Sequence, residues 1–192
     1  TLFVLPVPSP VARGRLKAVD VGAAKGMPGV HAVLTVDDIP GNNIWGPILH
    51  NEPLLANGEV HYMGQAIAVV VAESEQDARQ AAAAVELSIE STPPIIGIAA
   101  AIEAHSFHGE AHIIERGNLV EAFESAALVI EGTVETPGQD HFYLETQAAL
   151  CIPEENGTYT VQSSTQHPTE IQKVVAATLG IGANRVVCEV PR

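Results

Sequence analysis

The stretch AIAVVVAESEQDARQAAAAVELSIE (66–90) constrains the fold more than any other part of the chain. Seven consecutive apolar residues, Ala66 to Ala72, suit a strand covered on both faces. Ser74 is placed to cap a helix, with Asp77 three residues on. The alanines that follow give a thin helix able to lie close on a sheet, predicted over Glu75 to Val85. Leu87-Ser88-Ile89-Glu90 then alternates as a strand until Thr92-Pro93-Pro94 stops it. Strand, helix and strand within about 30 residues match the length of a crossover connection. The fold class expected is α/β (α+β), with residues 1–100 forming a mixed sheet that carries the helix. Burial is expected for Val69, Val71 and Ile89 here, and for Val174 and Val175 farther on.

Upstream, GRLKAVDV (14–21) and VHAVLTV (30–36) read as strands, with Pro28-Gly29 as a turn between them. Residues 40–58 form a long loop dense in Gly, Pro and Asn, a length that tends to be functional or interfacial. Its single Trp45 is expected to plug the protein's own core rather than anchor a partner. Downstream, helices are expected over 96–105 and 118–127, the second capped by Asn118. Further strands are expected over Leu128 to Thr136 and from Tyr143 to Pro153. A hairpin at Asn156-Gly157 leads to the strand 158–165. Pro168 opens a helix over Thr169 to Leu179, Gly180 ends it, and RVVCEVP (185–191) is a last strand. The division between two domains falls near residues 91–98, giving 1–100 and 101–192.

Composition excludes several functions. Acidic residues outnumber basic ones 23 to 9, for a formal charge of -14, so binding to nucleic acid is not expected. No apolar run approaches the roughly 20 residues of a membrane span. The opening TLFVLPVPSP lacks the basic start of a signal peptide, and a cytoplasmic location is expected. The two cysteines, Cys151 and Cys188, are expected as buried free thiols. His105, His108 and His112 lie close together but lack the companion ligands that fix a metal, so no metal site is expected there.

The segment PGQDHFYLETQAALCIP (137–153) is the chemically dense part of the chain. On a strand, His141, Tyr143 and Glu145 share one face, and Asp140, Phe142 and Leu144 the other. His141 and Glu145 are expected to be mostly buried and hydrogen-bonded, because buried polar groups must be paired. Gln139 stands at the strand end, after the Pro137-Gly138 turn. Its amide can donate and accept, which suits an oxo or hydroxide ligand or a carbonyl.

GQDHFYLETQAALCIP (138–153) followed by SSTQHPTEIQKVVAATLGI (163–181) resembles the molybdenum-cofactor-binding subunit of bacterial xanthine dehydrogenases. GEVHYMGQAIAVVVAESEQDARQAAAAVELSIES (58–91) resembles the α/β-hammerhead domain that precedes that region in the xanthine dehydrogenase and aldehyde oxidase family. The resemblance implies a hammerhead domain followed by the first part of a molybdenum-cofactor-binding domain. By position it implies that Gln139 hydrogen-bonds an oxygen ligand of the molybdenum. Pro137 and Asp140 depart from the Gly and Glu frequent in the family, and Pro137 bears on the turn that aims Gln139. No metal ligand and no catalytic residue is expected within the chain, because the family's Gly-rich loop and its general base, a Glu, are expected beyond Arg192.

The implied activity is hydroxylation of xanthine or hypoxanthine with water as oxygen source. Aldehydes, other N-heterocycles and carbon monoxide are the family's alternatives. A non-catalytic binding or assembly module is the alternative outside it. The cofactor implied is molybdenum-molybdopterin in the full-length subunit, with iron-sulfur clusters and FAD on a partner subunit. None is expected on this fragment, which is also expected to be inactive alone and to self-associate.

Overall fold

The computed structural model describes residues 1–142, 144 and 147–191. The chain begins with β1 (Phe3–Pro8), β2 (Gly14–Asp20), a short α1 (Gly22–Lys25) and β3 (Val30–Leu34). A two-stranded ribbon, β4 (Ile44–Trp45) and β5 (Glu52–Pro53), leads to β6 (Glu59–Val60) and β7 (Ala66–Ala72). Next come α2 (Glu75–Ala83) and β8 (Glu86–Ser91). Two helices, α3 (Ile98–Glu103) and α4 (Leu119–Ser125), occupy the middle. The chain continues through β9 (Ala149–Pro153), β10 (Tyr159–Ser163), α5 (Pro168–Leu179) and β11 (Val186–Glu189).

The chain forms two compact units that do not follow sequence order. One joins Thr1–Pro94 to Thr146–Arg192, and the other is Ile95–Glu145. In the first unit β7 lies between β1 and β3, antiparallel to both. Its apolar run buries Ile67, Ala68, Val70 and Ala72, while Val69 and Val71 are half-buried. Helix α2 packs on β1 and β7 through Ala78 and Ala81, both with no exposed surface. Ser74 caps it: the Asp77 N–H donates to Ser74 Oγ at 3.1 Å.

The expected crossover between β7 and β8 does not form, and the sheets of residues 1–94 are antiparallel rather than mixed. Strand β8 leaves the β7 sheet and pairs antiparallel with β2. The alternation of Leu87 and Ile89, both half-buried, with exposed Ser88 and Glu90 explains this. A strand apolar on one face suits an antiparallel sheet open to solvent, not a parallel strand covered twice. The parallel pair lies elsewhere: β10 runs parallel to β11 through α5 and antiparallel to β9. That sheet buries Val161 and Val186 against Ala176 of α5, with Val175 half-buried beside them. The β9–β10 hairpin turns at Asn156 (φ 60°) and Gly157 (φ 65°), as the Asn-Gly pair predicts.

The second unit differs most from expectation. Helices α3 and α4 form, the latter capped by Asn118 Oδ1 accepting from the Glu121 N–H at 3.2 Å. The strand expected over Leu128 to Thr136 is absent. Of the strand expected from Tyr143 to Pro153 the described residues form Ala149–Pro153, while Leu144, Gln147 and Ala148 are not in a strand and Tyr143, Glu145 and Thr146 lie outside the described residues. Apolar side chains there lie open: Leu128 is 76% exposed, Ile130 84%, Val134 89% and Phe142 84%. A strand needs a neighbour to take its backbone hydrogen bonds. Among the described residues no strand pairs with this stretch. Cys151 is exposed and Cys188 half-exposed, against the expectation of buried thiols. Both occupy positions opposite Val161, on the two outer strands of a small sheet covered only in part by one helix. What burial they have pushes both thiols up from their ordinary value.

Candidate functional site

Gln139 is exposed, as a residue facing a separate ligand would be, and lines a hollow with Asp140 and His141. The surroundings are not those expected. Residues 137–142 form no strand, so Asp140, His141 and Phe142 do not take the alternating faces expected of them, and Phe142 takes a left-handed backbone (φ 48°). His141 is exposed rather than buried and hydrogen-bonded. With no sheet around it, nothing removes the imidazole from water. Glu145 and Tyr143 lie outside the described residues. Among the described residues no three His, Cys, Asp or Glu side chains gather as a metal site, and His105, His108 and His112 are all exposed.

The larger concavity, of about 440 Å³, lies at the start of α5. Its floor is the turn from β10 to that helix, carrying Gln166 and His167, and its far side is the 45–50 loop. Pro168 takes the first helical position, where its missing N–H costs nothing. The His167 N–H donates to Thr165 Oγ1 at 3.0 Å, which tightens the turn. Gln172 Nε2 donates to the carbonyls of Ala183 (3.1 Å) and Val186 (2.7 Å), fixing α5 against β11. Trp45 is half-buried and its Nε1 donates to Glu170 Oε1 at 3.3 Å, so it lies against α5 of its own chain and belongs to none of the buried apolar clusters it was expected to plug. Its ring also stands 6.0 Å from that of His50, tilted by 51°.

Gln166 is an amide on a turn at the end of a strand, between β10 and α5, the setting expected of Gln139. The signal is present in the sequence: a strand expected to end at Thr165, then Gln166-His167, with Pro168 marking the next helix.

The chain combines a hammerhead-type domain with part of a molybdopterin-binding domain. The family model "Aldehyde oxidase and xanthine dehydrogenase, a/b hammerhead domain" matches residues 1–93, and "Molybdopterin cofactor-binding domain" matches 104–192. The chain is 38% identical over its whole length to the xanthine dehydrogenase of Dictyostelium discoideum. It is 41% identical over 99% of its length to that of Blastobotrys adeninivorans, and 40% identical over its whole length to aldehyde oxidase 2 of Mus musculus. It spans 14% of the length of each. Among solved structures, quinoline 2-oxidoreductase from Pseudomonas putida 86 superposes with a TM-score of 0.81 at 28% identity, over 99% of this chain and 26% of that one. The aldehyde oxidoreductase from Desulfovibrio desulfuricans gives 0.86 at 26% identity, over 99% and 23%. The chain belongs to the xanthine dehydrogenase and aldehyde oxidase family of molybdenum hydroxylases.

Proposed function

We propose that this chain is part of a xanthine dehydrogenase that hydroxylates a purine, using water as the oxygen source. The observation that carries the reading is a cleft with a turn-borne amide, Gln166, inside the stretch that matches the molybdopterin cofactor-binding domain. The donors of that turn suit the cofactor. The Gln166 amide can donate to an oxygen ligand, and the start of α5 favours negative charge. When bound, the molybdenum cofactor supplies the oxygen transfer to the substrate. The chain's own part is to present one wall and one orienting amide. The general base, the iron-sulfur clusters and FAD belong, on this reading, to residues or subunits outside the chain. A bacterial-type separate subunit, a domain boundary at 100/101 and a cytoplasmic location are parts of the same proposal.

Two amides compete for the role, Gln139 by its place in the 138–146 motif and Gln166 by its place in the fold. Each is substituted by Ala in the enzyme that carries this chain, and kcat and thermal stability are measured. Loss of an interaction with developing charge lowers kcat about 100-fold or more with the fold intact. That result is expected for Gln166→Ala, with Gln139→Ala near the parent. The reverse pattern returns the role to Gln139, and full activity in both removes the orienting amide from this chain. Turnover of aldehydes but not of xanthine or hypoxanthine would sink the purine assignment.

A further inference from the structure

The 40–58 loop is tied along α5 at both ends of the helix. At the C-terminal end the Gly41 N–H donates to the Thr178 carbonyl at 2.9 Å, and the Asn42 N–H to that of Ala177 at 2.8 Å. These carbonyls belong to the last turn of the helix, where acceptors lack partners within it. The approach is close enough that a Cβ on Gly41 would collide with the Ala177 carbonyl and the Gly180 nitrogen. At the N-terminal end, Trp45 Nε1 reaches the Glu170 carboxylate.

The spans agree. Four extended steps from Gly41 to Trp45 cover about 13 Å at about 3.3 Å each, and the eight helical steps from Glu170 to Thr178, the partner of Gly41, cover about 12 Å at about 1.5 Å each. The segment is also stiff. Asn42 closes on Ile44, whose N–H donates to Asn42 Oδ1 at 2.9 Å and whose carbonyl accepts from Nδ2 at 2.8 Å. Asn43 clasps Leu55 in the same way, accepting from its N–H at 3.0 Å and donating to its carbonyl at 2.8 Å. A stiff segment anchored at one helix end fixes where its other end meets the helix.

We infer that Trp45 is a positioning residue: through its N–H bond to Glu170 it holds the first turn of α5, and with it the Gln166–His167 turn. Its importance for turnover rests on the cofactor-facing reading of that turn, whereas the positioning itself does not. Peptide-resolved hydrogen exchange on the protein that carries this chain tests it, with readings over 164–171 and over β7. Trp45→Phe keeps an aromatic ring but loses the N–H, Glu170→Ala loses the acceptor, and Glu170→Gln keeps an acceptor without the charge.

Trp45→Phe and Glu170→Ala should each speed exchange over 164–171 several-fold while β7 stays at the parent rate. Glu170→Gln should restore the parent rate, and the Trp45→Phe/Glu170→Ala pair should be no faster than either alone. An unchanged 164–171 in Trp45→Phe overturns the inference. So does equal acceleration in β7, which marks general loss of packing, or a Glu170→Gln variant as fast as Glu170→Ala, which marks an effect of charge on the helix. If exchange responds as expected while Gln166→Ala leaves kcat intact, the cofactor reading fails and the positioning stands.

Discussion

At the scale of single residues, polar groups divide by whether the fold takes them out of water. Gln65 is 1% exposed, and its Oε1 accepts the His61 N–H at 2.8 Å. Gln65→Ala leaves that N–H without its partner, and should destabilise the fold by about 1–3 kcal/mol in denaturant titration. His141 is the opposite case. It is exposed, so His141→Ala should stay within about 0.5 kcal/mol of the parent. Two carboxylates are held below their ordinary values: Asp38 chiefly by the Thr35 backbone N–H, and Glu90 by hydrogen bonding and charge from Lys17 at 2.7 Å. A carboxylate depressed in the folded state stabilises it above the unfolded value and loses that contribution as pH falls through the folded one. Melting temperature should therefore fall as pH drops below the ordinary values of 4.5 for Glu90 and 3.8 for Asp38. The Asp38→Asn and Glu90→Gln variants should show a shallower acid decline. An acid limb unchanged in both would remove these groups from the account.

At the scale of elements, β7 is the centre of the N-terminal sheet, and α5 is the support of the candidate site. Ile67 is 1% exposed and packs with Ala56 and Val60, beside Leu16, Leu87 and Ile89 of β2 and β8. It therefore touches the second three-stranded sheet as well as its own. Ile67→Ala should cost about 2–5 kcal/mol, the sum of lost transfer energy and the cavity left behind. A comparable truncation at Val187, 54% exposed on β11, should cost little. Chemical denaturation of both variants measures the contrast, and equal losses would contradict the assignment of β7 as the central strand. Helix α5 stops at Gly180, whose left-handed backbone (φ 66°) suits a residue without a Cβ.

For the whole molecule, charge and exposed apolar surface act in opposite directions. The chain carries a formal charge of -14, while the second unit leaves Ile113, Ile114, Val134 and Leu144 more than three-quarters exposed. Contiguous apolar surface promotes association, and like charge opposes it until salt screens the repulsion. Self-association is accordingly expected to strengthen from low to high ionic strength in sedimentation of the isolated 192-residue chain. A strict monomer at both would refute it. No helix among the described residues is long and apolar enough to cross a membrane.

The sequence by itself determined the elements whose signals are local. The Ser74 cap, the apolar run of β7, the Asn156-Gly157 hairpin, Pro168 at the head of α5 and Gly180 at its end each depend on a few neighbouring residues. The motif resemblance likewise identified the family. Tertiary structure alone decided what depends on partners distant in the chain. It placed β8 on β2 instead of β7, left 128–142 without a strand and exposed His141. It also brought the 45–50 loop against α5, so that Gln166 rather than Gln139 lies in the larger cleft. A period of two shows that a segment can be a strand. Which strand it meets, and whether it meets one at all, is fixed by competition among hydrogen-bonding edges and apolar faces across the whole chain, and no local window contains that information.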